Sequence, residues 1–413
     1  MKIFSLLIAL IILLSSANIF AQNVDLIGRF PTPGSARGVY VSGDYAYVSC
    51  WTEGLYIINI SNPANPSLAA HLSTSPGQAW DTHIEGDYAF VADDLNGGLQ
   101  VINVSDPYHP VLAGSYDTPG WAYNLVVDSP YVYMADGYTG SFQILNVSNP
   151  SNPTFLSYFD THGWARGIFV TDTLAYIANG NAGMEIVNIH DPANPQFWGS
   201  CCNDSYRSAI SVYVSGDYAY LADYDRVLFL DISNPNNIET VYTYDLSLSP
   251  LNLSVVGNYL YIANAEWGLR MLDISNPSSP SFVGSYNTPG NAWHVFVDNY
   301  VYVADSTSLL ILRFNPNGID DEVNSPRRYA LLQNYPNPFN ATTTIDLAIA
   351  RDGQVNLSIY NLLGQKIATL IDGFESAGDK RVNWDASSLP SGVYFTRLKT
   401  AGQIKTIKMT LLK

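Results

Sequence analysis

Residues 41–63 read Val41-Ser-Gly-Asp44-Tyr45-Ala-Tyr47-Val48-Ser-Cys50-Trp51-Thr-Glu-Gly54-Leu55-Tyr-Ile-Ile-Asn59-Ile60-Ser61-Asn62-Pro63. The Tyr45 position returns at Tyr88, Tyr131, Leu174, Tyr218, Tyr259 and Tyr300, at steps of 43, 43, 43, 44, 41 and 41 residues. The closing Ser-Asn-Pro or Ser-Asp-Pro returns at Ser105, Ser148, Ser233 and Ser275, with His190-Asp-Pro as a variant. A period near 40 residues marks a solenoid or a propeller. Within a unit, an alternating stretch at 38–41 leads through a Gly-Asp turn to 45–49. A Gly-containing turn then leads to 55–60. The Asn-Pro-x-x-Pro stretch interrupts pairing, because proline has no donor, and a fourth strand follows at 67–72. Four short strands per repeat, seven repeats and no helical period predict an all-β, seven-bladed β-propeller.

Repeat seven lacks its fourth strand and stops at 310–314. The N-terminal region carries an orphan strand at 24–30, Val24-Asp-Leu-Ile-Gly-Arg-Phe30, followed by Pro31-Thr-Pro-Gly34. It matches the fourth-strand segments 111–116 with Thr118-Pro-Gly120, and 282–286 with Thr288-Pro-Gly290. The N-terminal strand is therefore expected to complete the last blade and close the ring, which removes the exposed sheet edges of an open array. These repeats resemble the LVIVD family of propeller repeats, whose name echoes the third strand, here Leu99-Gln-Val-Ile-Asn-Val104. The resemblance covers residues 36–314. It implies the architecture and carries no reaction.

The chain has three further segments. Met1-Lys2, an apolar run at 3–14 and the small, polar Ser15-Ser16-Ala17-Asn18 read as a secretory signal peptide over 1–21, cut after Ala21. The propeller then spans 22–314. No other uninterrupted apolar run approaches the ~18 residues a span needs, so no transmembrane anchor is expected after cleavage. Residues 315–328 are a polar, turn-rich linker, and 329–413 a small C-terminal β-sandwich. Its expected strands lie at 342–349, 355–360, 393–398 and 404–412, with turns at 363–366 and 389–392. This tail resembles the type A C-terminal sorting domain of the type IX secretion system of Bacteroidetes-type bacteria. The resemblance rests on Gln333, Asn334, Tyr335, Pro336, Asn337, Pro338, Phe339 and Asn340, on Ile359-Tyr-Asn-Leu-Leu-Gly-Gln-Lys366, on Ser391-Gly-Val-Tyr394, and on Lys405-Thr-Ile-Lys408. It implies passage through periplasm and outer membrane by way of the secretion machinery. Loss of the tail and surface attachment or release then follow.

The 413 residues include 19 basic and 36 acidic ones, a net charge of −17, and only 13% are charged. That composition excludes a coiled coil, and it lacks the basic footprint of a nucleic-acid binder. The imbalance is local. Residues 22–314 hold seven basic residues, all arginine, against 27 acidic ones, whereas 329–413 hold nine basic and six acidic. Of the three cysteines, Cys201 and Cys202 are adjacent and Cys50 is distant. One disulfide is possible, leaving an odd thiol. No Cys/His cluster has metal-ligand spacing, and no metal or cofactor is expected.

Repeat positions that vary are the informative ones. Asp93, Asp136, Asn179, Asp223, Asn264 and Asp305 end the second strand in six repeats, with Cys50 the exception, and are expected to cap the following turn. The repeated tyrosines are expected to be half-buried packing residues. Sequons at Asn103, Asn146 and Asn252 fall inside repeat strands. Align instead on the small residue that opens strand one: Ala36, Ala79, Ala122, Ala165, Ala209, Pro250 and Ala292. The next position holds Arg37, Trp80, Tyr123, Arg166, Ile210, Leu251 and Trp293, and the one after holds Gly38, Asp81, Asn124, Gly167, Ser211, Asn252 and His294. The start of the innermost strand lies at the channel mouth of a propeller. Arg37, Trp80, Asp81, His83, Tyr123, Arg166, Trp293 and His294 are therefore the candidate ligand-binding residues, with plugging of the channel as their other reading. A small neutral or anionic ligand, a glycan or a surface protein fits such a mouth. His83 and His294 could meet across the channel. No nucleophile–base or zinc motif occurs, so a binding scaffold is expected, with a secreted enzyme sited at the mouth as the alternative.

Overall fold

Each repeat folds as one antiparallel four-stranded meander, in blade one Gly38–Ser42, Tyr45–Ser49, Leu55–Asn59 and Ser67–Leu72. The computed structural model describes residues 23–137, 141–204, 207–235, 237–315, 330–331, 334, 337–349, 353–362, 364–375, 378–400 and 404–413. The chain divides into two compact units, Met1–Gly318 and Ile319–Lys413.

Burial follows the sequence of each strand. The two middle strands of a blade are apolar runs buried on both faces, whereas the outer strand is half exposed. The core lies between blades. Tyr47, Leu55 and Ile57 of blade one pack with Ala79, Ile84, Val91 and Ile102 of blade two. On its other face, Val39, Val48 and Tyr56 pack with Tyr302, Ala304, Leu309 and Ile311 of blade seven, so the array is circular. The repeated tyrosines, Tyr45 and Tyr88 among them, sit half-buried against these clusters.

The N-terminal strand closes the ring. Val24–Pro31 pairs antiparallel with Ser308–Phe314, from Val24 opposite Phe314 to Pro31 opposite Ser308. A Cβ at Gly28 would lie 2.0 Å from the Pro63 carbonyl oxygen. Glycine there lets the outer strand of the last blade lie directly on the Asn-Pro turn of the first. Every outer strand also carries a register shift, as between Leu26 and Gly28. A bulge bends and twists an edge strand and so discourages pairing with another chain.

The six Asp and Asn residues ending the second strands do not all cap the next turn. Asp305 does cap it, accepting from Thr307 N, Thr307 Oγ1 and Ser308 Oγ. Asp93 and Asp136 instead reach back to the connector entering their own blade. Thr74 Oγ1 donates to Asp93 at 2.9 Å, while Thr118 Oγ1 and Gly120 N donate to Asp136 at 2.8 and 2.9 Å. These carboxylates hold in place the loop that delivers strand one to the channel.

The second unit is a sandwich of two sheets. One orders Ala330–Leu331, Thr342–Ile349 and Gly378–Asp385, and the other Lys366–Glu375, Gly353–Asn361, Gly392–Lys399 and Ile404–Leu411. Three of these strands, Lys366–Glu375, Gly378–Asp385 and the short Ala330–Leu331, have no counterpart in the sequence reading. The first is half exposed along its length and contains Asp372 and Gly373, so its apolar signal is weak. In the sorting motif, Asn334 Nδ2 donates to Thr343 Oγ1 at 2.9 Å, and Thr410 N donates to Asn337 Oδ1 at 2.9 Å. Phe339 is buried, bridges Leu411 in parallel, and packs on Trp384 at 5.6 Å. The motif is thus pinned to the last strand. Tyr335 and Pro336 lie outside the described residues, as do the signal segment and Leu363.

Candidate functional site at the channel mouth

The alanines opening strand one are fully buried at Ala36, Ala79, Ala122, Ala165, Ala209 and Ala292. Their small size lets seven inner strands converge, and bridges such as Trp51 to Ala79 and Ala265 to Ala292 link successive blades there. The next side chain in each blade then lines one recess of about 570 Å³ of atom-free space. Arg37, Trp80, Tyr123, Arg166 and Trp293 share it with Ile210 and Leu251.

Arg37 occupies an aromatic cage. Its guanidinium carbon lies 3.6 Å from the Trp293 ring centroid, 4.8 Å from Trp80 and 5.1 Å from Trp51. Each indole N–H is engaged elsewhere: Trp293 donates to Ser306 Oγ at 2.8 Å, Trp80 to Asp94 Oδ2 at 3.0 Å, and Trp51 to Gln78 Oε1. The rings are thereby fixed with their faces toward the cation, which favours cation–π attraction. Trp80 also meets Trp293 and Tyr123 edge to face, at 6.0 and 5.1 Å. Arg166 lies over Tyr123 at 5.5 Å. Among the described residues neither arginine pairs with a carboxylate, and the buried Arg37 Nε has no hydrogen-bond partner. Burial pulls Arg37 down to about 10 and lowers Arg166 as well; Arg37 stays cationic at neutral pH.

The floor of the recess is the second ring position. Asp81 accepts from Asn124 Nδ2 at 2.5 Å and from Leu125 N at 3.5 Å, and lies 3.7 Å from His294 Nε2. Asn124 Oδ1 takes Ile168 N at 2.9 Å, and Asn252 Oδ1 takes Val295 N at 3.1 Å. Each of these side chains straps its blade to the next. A Cβ on Gly167 would come 2.5 Å from the Ile210 carbonyl oxygen, so this waist is tight. Burial raises the Asp81 carboxyl to about 7 and holds the His294 imidazole down to about 4. His294 Nδ1 is buried without a partner.

His83 does not join the mouth. It lines a second chamber beyond the waist, of about 990 Å³ of atom-free space, with its ring tilted against Tyr40 at 4.7 Å. Tyr40 in turn meets Phe296 at 4.9 Å, and Phe169 and Tyr213 complete an aromatic wall. Among the described residues, no group of three or more metal-ligating side chains occurs. The sequence reading missed Trp51 and this aromatic chamber. The second was within reach, because Tyr40, Phe169, Tyr213 and Phe296 hold one repeat position four residues after the opening alanine.

Residues 33–74, 76–118, 119–161, 162–203, 206–246, 251–288 and 289–312 match the LVIVD repeat. Residues 333–412 match the secretion system C-terminal sorting domain. No curated protein matches the chain. Three solved structures are similar in shape. A chain of the mitotic checkpoint complex is 11% identical, with TM-score 0.59, covering 73% of this chain and 97% of its own. The WD40 β-propeller domain of Doa1 is 9% identical, with TM-score 0.57, covering 72% and 99%. Saccharomyces cerevisiae Sqt1 is 10% identical, with TM-score 0.55, covering 70% and 99%. At such identities the likeness shows the fold alone.

Proposed function

The chain belongs to the LVIVD repeat family and ends in a secretion sorting domain, and from that premise we propose that it is an exported, non-catalytic binding scaffold whose ligand is held at the channel mouth. The sorting domain marks the protein for type IX secretion, to the cell surface or the extracellular space. One observation carries the choice of site. In a segment with seven arginines against 27 acidic residues, Arg37 and Arg166 both point into the mouth, pair with no carboxylate among the described residues, and face aromatic rings. Rings stack on the apolar face of a sugar, while guanidinium groups donate charged hydrogen bonds to its oxygens or to a small anion. The surrounding acidity repels polyanions at long range, so the ligand is small and neutral or singly charged.

Calorimetry of the secreted protein against neutral glycans and small carboxylates or phosphates tests this. Arg37→Ala combined with Arg166→Ala should weaken binding at least tenfold. Unchanged binding in that variant, or no binding at millimolar ligand, moves the function to the outer rim.

A second reading rests on Asp81. A buried carboxyl raised to about 7 beside an imidazole suits general acid–base work, which gives the enzyme alternative its one concrete candidate. Turnover of any chromogenic glycoside or ester that vanishes in Asp81→Asn would establish it.

A further inference from the structure

The outer strand of blade four, Gln196–Cys201, ends on two adjacent cysteines. Cys201 pairs with Met184 in the sheet, and Cys202 turns out of it with φ +65°, in the left-handed region. The dipeptide backbone is clamped from below: a Cβ at Gly183 would lie 2.3 Å from the Cys201 carbonyl oxygen and 2.6 Å from that of Cys202. Both side chains fall on the same side, with Sγ atoms 2.7 Å apart, and both are half exposed. The third cysteine cannot compete. Cys50 is fully buried in the core between blades one and seven, whereas Cys201 and Cys202 border the core between blades four and five. The protein is also exported, hence leaves the reducing cytosol.

We propose that Cys201 and Cys202 close into a vicinal disulfide after export. One of the two thiols, as its thiolate, is the nucleophile. It attacks the disulfide of a thiol–disulfide oxidoreductase and expels one of that enzyme's sulfurs as a thiolate. The other thiol of the pair, deprotonated, then attacks the half of the mixed disulfide held by its neighbour and displaces the enzyme's sulfur. Two thiols lose two protons and two electrons, and the oxidant's disulfide becomes two thiols. Cα atoms joined by a trans peptide are ~3.8 Å apart, closer than ordinary disulfides allow, so the ring is strained and opens under mild reduction. The product is a reducible cross-link at the end of the outer strand of blade four, independent of the binding function proposed for the channel-mouth residues.

Protein exported by its native host is denatured and alkylated without reductant, then weighed and digested. The expected result is one alkylated cysteine, Cys50, and a peptide carrying Cys201 and Cys202 that lacks two hydrogens. Treatment of the native protein with dilute dithiothreitol should restore alkylation at both. Cys50→Ala should keep the hydrogen-deficient peptide, and Cys202→Ser should leave Cys201 alkylated in a monomer. Three alkylated cysteines without reductant overturn the proposal, as does a reductant-sensitive dimer that joins two copies through these residues.

Discussion

The propeller and the C-terminal sandwich are both all-β, yet they are held together in opposite ways. The sandwich has one core, in which Phe339, Trp384 and Leu411 meet across less than 75 residues of chain. The propeller has its core divided among the blade interfaces, and its ring is completed only where Val24 meets Phe314. The first depends on a few large side chains, the second on a single closing strand. Charge follows the same division, since the propeller is arginine-only and acidic while the tail carries the lysines.

The comparison breaks most visibly at the closing strand. Deleting 24–30 should leave Ser308–Phe314 as an unbulged open edge, with aggregation or a large fall in the propeller's melting temperature and no change in the sandwich transition. Differential scanning calorimetry decides; a deletion that melts like the parent removes the closure argument. Next in size, protein recovered outside a native host should lack 329–413, because the sandwich serves export. Intact mass of the secreted material checks this, and a retained tail would make the sandwich a working domain. In the sandwich, Phe339→Ala should cost about 3–5 kcal/mol through the cavity left beside Trp384, lowering secretion yield while the propeller's own transition stays put.

The smallest effect sharpens the contrast inside the propeller. Burial raises Asp81 and Asp93 to about 7 and lowers His83 and His294 to about 4. Raised carboxyls give stability that falls as pH rises from their unfolded value toward 7. Lowered imidazoles give stability that falls as pH drops from 6.5 toward 4. Between about 4 and 6.5 the folded state thus holds the two carboxyl protons and the unfolded state the two imidazole protons, so the four contributions cancel. Asp81→Asn should tilt the balance by about 1 kcal/mol per pH unit toward loss on acidification, relative to the parent. His294→Asn should tilt it the opposite way by a similar amount. Urea midpoints at several pH values read both slopes, and parallel profiles for parent and variants would contradict the buried assignments.

Much of this was legible before any coordinates. The period gave the blades, and the missing fourth strand of repeat seven pointed to the N-terminal segment. The variable residue after each opening alanine marked the mouth, because repeat packing fixes the alanine and leaves its neighbour free. What escaped the sequence depended on contacts between repeats. Trp51 sits in the turn after the second strand of blade one, beside Arg37 of the same blade, and only the ring brings Trp80 of blade two and Trp293 of blade seven around the same cation. His83 shares a strand with Asp81, yet the waist places it in the other chamber. The clamping role of Asp93 and Asp136 needed the path of the preceding connector. In the sandwich, Lys366–Glu375 carried too little buried apolar surface to announce itself.

The pairing of Val24 with Phe314 also sets an order of events. The first strand to emerge from the ribosome is the last to find its partner, because that partner is made nearly 300 residues later. Blades one to six can assemble from neighbours as synthesis proceeds, whereas the seventh waits for both termini. Contacts of such sequence separation slow folding and prolong the life of unpaired edges. Ring closure is therefore the pairing of greatest sequence separation in the propeller, and until it forms the edge of the last blade stays open.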